Sequence, residues 1–249
     1  MSIVHVLPNI DTIARTIAAR WTALSHEAVT AHNRFHVALA GGSTPRRLYE
    51  TLASLGGDGQ TGPDWAHTCI YFGDERAVPP DHPDSNYRMA RESLLDQVPL
   101  PPEQVHRIRA EEADLPHAAR SYAELLNREL PLDEEAMPAF DLVLLGLGED
   151  GHTASLFPDT EILAEHERLV APVYVDRLNA WRVSLTLPVL NHARHIMVLV
   201  SGEAKAAIAH RVLDLPPAPA LPAQLLAPTG SLEWFLDEAA AAQLEREAI

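Results

Sequence analysis

The sequence predicts an α/β fold in which a mostly parallel, open sheet carries helices on both faces. Three observations support this. Short, nearly continuous apolar runs recur at Phe35–Ala40, Thr68–Phe72, Phe140–Leu145 and His195–Val200, and strands buried on both faces of a parallel sheet read this way. Segments with helical spacing separate the runs, as crossovers between parallel strands require. Each run leads into glycine and then polar residues, at the carboxyl strand ends where open α/β sheets bind ligands. The expectation is one Rossmann-like domain over residues 1–249, elaborated by small additional strands.

In chain order, Ile3–Leu7 reads as a short strand. A long helix follows from Ile10 to Ala31, with Ile10, Ile13, Ala14, Ile17, Trp21 and Leu24 on one stripe. Phe35–Ala40 runs into Gly41, Gly42, Ser43, Thr44 and Pro45, and Leu48, Leu52 and Leu55 continue at helical spacing. Thr44 is the expected N-cap, with Pro45 at the first helical position. Such a turn is an anion site, because free N–H groups and the helix dipole point at the bound charge. Gly56–Pro63 is a surface turn. Thr68–Phe72 leads to Gly73, Asp74, Glu75 and Arg76, then to a polar, proline-rich loop ending at Asn86. Pro99, Pro101 and Pro102 punctuate the next connection, and Glu112–Leu130 reads as an amphipathic helix.

The run at Phe140–Leu145 enters a turn rich in glycine, Gly146, Gly148 and Gly151, which carries Asp150 and His152. Taken alone, Asp150 reads as the cap of a helix that His152 begins. His152 alone fits a structural hydrogen bond or catalysis equally. Val183–Leu187 is a small additional strand. His195–Val200 leads through Ser201 and Gly202 to Lys205 in the first turn of a helix, where a cation opposes the dipole and an anionic ligand would account for it. Pro216–Pro222 is a rigid connector with helix expected on each side.

The net charge of −16 argues against nucleic acid or an anionic membrane surface as partner. Any anionic ligand must therefore meet a local cationic island, for which Arg76, Arg182 and Lys205 are the candidates. The single Cys69 lies in an apolar run and reads as a small buried hydrophobe in a reducing, cytoplasmic setting. The first residues, MSIVHVLPNI, lack the basic and apolar regions of a leader, and no apolar run approaches the ~18 residues of a membrane helix. Among thirteen histidines, His32 with His36 and His192 with His195 have spacings that suit a metal. No cysteine or HExxH-type grouping accompanies them. Surface or capping roles are expected instead, with no metal, no cofactor and no obligate protein partner.

Motifs in a fixed order then carry a resemblance. They are GGSTP at Gly41–Pro45, GDER at Gly73–Arg76, SNY at Ser85–Tyr87, GLGEDGHTASLFP at Gly146–Pro158, RVSLTLP at Arg182–Pro188 and SGEAK at Ser201–Lys205, followed by LPAQLLAPTGSLEWFLDEAAA at Leu221–Ala241. In this series the chain resembles the 6-phosphogluconolactonases of the glucosamine-6-phosphate isomerase/6-phosphogluconolactonase superfamily. The resemblance implies metal-free hydrolysis of a phosphorylated sugar lactone in the oxidative pentose phosphate pathway. His152 would deprotonate water and then protonate the departing ring oxygen. A carboxylate near it, with Asp150 the neighbour in sequence, would fix its tautomer. Backbone N–H groups of the glycine turns and Arg76 are the candidates for meeting the developing oxyanion, with Arg76 equally a candidate for the phosphate. Gly41, Gly42, Ser43, Thr44, Arg182 and Lys205 would hold the phosphate.

Two other functions compete. Amino-sugar-phosphate isomerase/deaminases of the same superfamily resemble DGHIAFNEP after the histidine, with a glutamate supporting the imidazole; here Phe157 occupies that place, and an apolar ring accepts no proton. Asp74 matches a proton-abstracting carboxylate of those relatives, and in this chain it reads as a structural or site-orienting acid. A non-enzymatic sugar-phosphate sensor of the regulator type would need a DNA-reading module. The residues before Gly41 are taken up by one strand and one helix.

Overall fold

The computed structural model describes residues 2–55 and 62–245. Its elements are β1 (Ile3–Leu7), α1 (Ile10–His32), β2 (Phe35–Leu39), α2 (Ser43–Leu55), β3 (Thr68–Phe72), β4 (Asp74–Arg76), α3 (Asn86–Ser93), α4 (Leu115–Glu129), β5 (Leu142–Gly146), β6 (Val170–Val175), β7 (Ala180–Leu185), α5 (Leu187–Asn191), β8 (His195–Val200), α6 (Ala206–Leu213) and β9 (Ser231–Asp237). Six strands form a sheet in the order β1-β9-β8-β5-β2-β3, and every neighbouring pair is parallel. A small antiparallel sheet follows the order β4-β7-β6. The mostly parallel α/β architecture expected from the apolar runs is therefore present, with the additional strands as a second sheet.

Apolar continuity dictates the centre of the large sheet. β2 and β3 are buried at every residue, and β5 at all but Gly146. α1 lays Ile13, Ala14, Ile17, Ala18, Trp21 and Leu24 against the core, the stripe expected from their spacing except for its first member, Ile10. Trp21 is fully enclosed and meets Phe35 edge-on at 5.5 Å and Trp65 at 6.1 Å.

β9 escapes a hydrophobicity reading because SLEWFLD places two acids in an interior strand. Both are satisfied. Glu233 is buried and paired with His5 at 2.9 Å and Arg20 at 2.5 Å. Asp237 accepts from the Ser201 hydroxyl and from the N–H groups of Gly202 and Ala240. Buried carboxylates persist only with such partners.

Several local expectations are corrected. α2 starts at Ser43, so neither Thr44 as cap nor Pro45 at the first position holds; Gly42, at φ +106°, makes the turn and its carbonyl receives the first helical bond, from Arg46. No helix begins at His152. The chain there closes on itself, with the Gly148 N–H bonded to the His152 carbonyl at 2.8 Å and the Asp150 carboxylate used by the imidazole rather than by a helix end. α4 begins at Leu115 because Asp114 caps the His117 N–H. The Pro216–Pro222 connector joins α6 to a single turn at Pro222–Leu225 and then to β9, not to a second helix. His36 is buried in β2, its Nδ1 3.1 Å from the Tyr71 hydroxyl, and is neither a surface nor a capping group.

The expected turn at Gly56–Pro63 lies, for residues 56–61, outside the described residues. Cys69 is a free, buried cysteine in β3. Among the described residues no helix is long and apolar enough to cross a membrane, and no group of three or more histidines, cysteines or acids is placed to hold a metal ion.

Trp21→Ala should lower stability by about 3–5 kcal/mol, as for large-to-small changes at enclosed aromatic sites. Denaturant titration reads this as a lower midpoint at unchanged slope; a loss under 1 kcal/mol would show that the neighbouring helices close over the space.

Candidate active site

A cavity of about 370 Å³ opens over the carboxyl ends of β2, β3, β5 and β8. Gly41 and Gly42 come from the β2–α2 turn, Asp74 and Arg76 from β4, His152, Ser155 and Phe157 from the loop after β5, Arg177 and Arg182 from the β6–β7 hairpin, and Lys205 from the turn before α6. Most of the residues singled out in the sequence thus share one wall-to-wall space. Ser43, Thr44 and Asp150 are not among the residues that line it. Ser43 and Thr44 precede the first bonded amide of α2, so their N–H groups are among those a helix leaves without partners. Lys205 does sit at a helix start, as expected.

His152 is fixed from three sides. Its Nδ1 lies 2.5 Å from Asp150 Oδ1, and its ring stacks on Phe157 at 4.1 Å between centroids. The third side is Gly148, where an added Cβ would fall 1.9 Å from Nδ1. Burial pushes the imidazole below its ordinary 6.5, partly offset by the hydrogen bond and charge of Asp150 and by the charge of Asp74. A base that stays neutral near pH 7 is the result. Burial raises the Asp150 carboxyl, but the bonds and charge of His152 and the charge of Arg177 outweigh it and hold the group below the usual range. Arg177 Nη2 reaches Asp150 Oδ2 at 2.7 Å and its guanidinium lies 5.0 Å from the Phe157 ring centroid.

Asp74 is buried and clamped. Its Oδ2 accepts from the Ser155 hydroxyl at 2.6 Å and its Oδ1 from Asn86 Nδ2 at 3.0 Å, while the same Nδ2 also donates to the Asp74 carbonyl. Next to it, the buried Glu75 accepts from the N–H groups of Arg76, Asn86 and Tyr87 and from the Ser85 hydroxyl. Burial raises its carboxyl above the ordinary value against the pull of those amides. The effect is mechanical: Glu75 cinches both ends of the 77–85 loop and holds the start of α3.

Among the described residues, Arg76, Arg182 and Lys205 form no ion pair within 4.0 Å. Arg76 bonds the Asp84 carbonyl instead, and Arg182 the Trp181 carbonyl. Arg76 and Arg182 are direct partners in the β4–β7 register. Burial first, and then the charge of Arg76, push the Arg182 guanidinium below its ordinary value. The carboxylates of Asp74, Asp84 and Glu75 act on Arg182 through charge alone, and two like charges side by side favour an anion between them.

Sequence reasoning passed over Arg177, Ser155, Asn86 and Glu75. Ser155 and Asn86 lie inside quoted motifs with no role read from them. Arg177, in the stretch DRLNA, has no glycine turn or strand end to mark it.

An open parallel sheet with a histidine-bearing, cation-lined pocket over its carboxyl edge is the architecture of an α/β enzyme. The chain belongs to the family described as Glucosamine-6-phosphate isomerases/6-phosphogluconolactonase, whose pattern matches residues 8–234. A 6-phosphogluconolactonase of Synechocystis sp. is 38% identical over 242 residues, covering 97% of this chain and 98% of that protein. The Homo sapiens 6-phosphogluconolactonase is 44% identical over 85% of this chain and 81% of its own length. The solved 6-phosphogluconolactonase of Trypanosoma brucei superposes with a TM-score of 0.86 at 29% identity, covering 98% of this chain and 99% of that one. A monomeric glucosamine-6-phosphate deaminase reaches a TM-score of 0.80 at 20% identity, which is a likeness of fold.

Gly148→Ala should push the imidazole off Asp150. In a proton NMR spectrum the downfield resonance of a strongly bonded His152 Nδ1 proton should disappear; its persistence would show that the turn absorbs the methyl group.

Proposed function

We propose that this chain, acting as one α/β domain in the cytoplasm, hydrolyses 6-phospho-D-glucono-1,5-lactone to 6-phosphogluconate, the lactone-opening step of the oxidative pentose phosphate pathway. The observation that carries the reading is the placement of His152: Nδ1 is tied to Asp150 while the ring lines a pocket shared with Arg76, Arg182 and Lys205. The names and coverage of the relatives support the same substrate.

In the proposed reaction the phosphate lies against Arg182 and Lys205 and the free amides behind Gly41, Gly42, Ser43 and Thr44. Water attacks the lactone carbonyl as His152 Nε2 takes its proton, and Arg76 stabilises the oxyanion. The tetrahedral intermediate then collapses, the ring C–O bond breaks, and the imidazolium returns the proton to the departing oxygen. Asp150 keeps the proton on Nδ1 and offsets the charge of the imidazolium. Asp74, bonded by Ser155 and Asn86, acts as a site-orienting acid. No metal or cofactor enters this scheme.

The deaminase reading loses support at Phe157. Where those relatives resemble a glutamate that supports the histidine, this chain stacks an apolar ring on it and supplies the carboxylate from Asp150. Proton release on adding the protein to freshly generated lactone, against the spontaneous background, tests the activity directly.

His152→Ala should lower kcat by about 100- to 10,000-fold, the usual contribution of a positioned general base, at an unchanged thermal midpoint. Only neutral imidazole accepts the proton, so the parent rate should fall as pH drops through the pKa of His152, and burial places that midpoint below 6.5. A folded variant with most of its turnover, or an acid limb above 6.5, would remove His152 from this role. Arg182→Ala and Lys205→Ala should chiefly raise KM, by about 10-fold or more, with kcat largely retained. Parent-like affinity for inorganic phosphate and substrate in both would overturn the phosphate assignment.

A further inference from the structure

We propose that Arg177 is a positioning residue for the Asp150–His152 pair: it holds one carboxylate oxygen of Asp150 so that the other fixes the tautomer of His152. The inference rests on the reading of His152 as general base.

Asp150 precedes the imidazole by only two residues and sits on a glycine turn, where its side chain is free to rotate unless something restrains it. Oδ1 takes both His152 Nδ1, at 2.5 Å, and the His152 backbone N–H, at 3.2 Å. Oδ2 has neither partner. Arg177 supplies one, with Nη2 at 2.7 Å, from the Asp176–Leu178 turn between β6 and β7. Rotating the carboxylate away from His152 would break this ion pair. The pair therefore resists the motion that would free Nδ1.

Phe157 completes the arrangement. Its ring stacks on His152 at 4.1 Å and also receives the Arg177 guanidinium at 5.0 Å, a contact favourable to a cation over an aromatic face. An acidic side chain at this position would compete with Asp150 for Arg177. The apolar ring steadies the guanidinium without neutralising it, and the charge is left for Asp150. The charged groups acting on the imidazole are thus Asp150, Asp74 and Arg177. Of these, Asp150 and Arg177 are bonded to one another.

Arg177 also lines the cavity, so a simple role as a substrate anchor is the alternative to be separated. Nitrogen NMR of protein carrying labelled histidine separates them, with the His152 signals identified by their loss in His152→Gln. In the parent, His152 should carry its proton on Nδ1. Arg177→Gln should move a substantial share to the Nε2–H form and lower kcat by about 10- to 100-fold, the scale of a misplaced catalytic group, with KM within about twofold. Asp150→Asn should lose the same tautomer, and adding Arg177→Gln to it should cost little more, since the two act as one unit. Arg177→Lys, which keeps the charge but not the planar fork, should recover part of kcat.

An unchanged tautomer with a raised KM in Arg177→Gln would make Arg177 a substrate anchor and overturn the proposal. An unchanged tautomer with a lowered thermal midpoint would make it a structural brace and overturn it equally. If His152→Ala retains turnover, the general-base reading fails by itself, while the tautomer in Arg177→Gln still decides whether Arg177 positions the pair.

Discussion

The site depends on what happens to the chain at one peptide, Gly73. Its N–H bonds the Leu39 carbonyl at 2.9 Å, extending the β2–β3 ladder, and its carbonyl accepts from Leu185 at 2.8 Å, opening the β4–β7 ladder. One residue thus belongs to the end of the parallel sheet and to the start of the antiparallel one. Because hydrogen bonds of both ladders meet there, β4 leaves β3 in a fixed direction, and Asp74 and Arg76 project over the carboxyl edge. β7, registered against β4, brings Arg182 opposite Arg76 and Ser184 opposite Asp74. The Ser184 hydroxyl then accepts the Ser155 N–H, which locks the loop following His152 to the same frame. The imidazole of His152, the carboxylate of Asp74 and the two arginines are placed by two sheets that share a corner.

That frame explains how a protein of net charge −16 keeps a cationic pocket. Carboxylates near the site are occupied: Asp74 by Ser155 and Asn86, Glu75 by backbone amides, and Asp150 by His152 and Arg177. Arg76, Arg182 and Lys205 are left to carbonyls and the cavity. Pairing the acids with amides, hydroxyls, an imidazole and Arg177, rather than with Arg76, Arg182 or Lys205, preserves positive potential in the cavity.

Much of this was legible in the sequence, for identifiable reasons. Strands buried on both faces leave uninterrupted apolar runs, so β2, β3, β5 and β8 declared themselves, and their glycine-rich ends marked where His152, Asp74 and Lys205 would converge. β9 did not, because Glu233 interrupts its apolar run and Asp237 ends it, and their compensating partners, His5, Arg20 and Ser201, are remote in sequence. The helix expected at His152 failed because Asp150 had two available uses, a helix cap or an imidazole partner. Only the fold of the Gly148–Gly151 turn decides between them. Arg177 was invisible for a similar reason: its importance comes from hairpin geometry, and nothing in its immediate neighbours encodes that.

His36 gives the far end of the sheet a property of its own. It is held in β2 beside Tyr71, and burial lowers its pKa from 6.5 to about 4, with His32, Arg34 and His106 adding to the effect. Once the chain unfolds, the same imidazole takes up a proton near its ordinary value. The folded form resists protonation until far lower pH, so this residue's contribution to stability is whole above about 6.5 and drains away as pH falls toward 4. Acid would thus act on two imidazoles at opposite ends of one sheet: in the pocket it puts a charge on His152, while beneath it each proton offered to His36 draws the molecule toward its unfolded state.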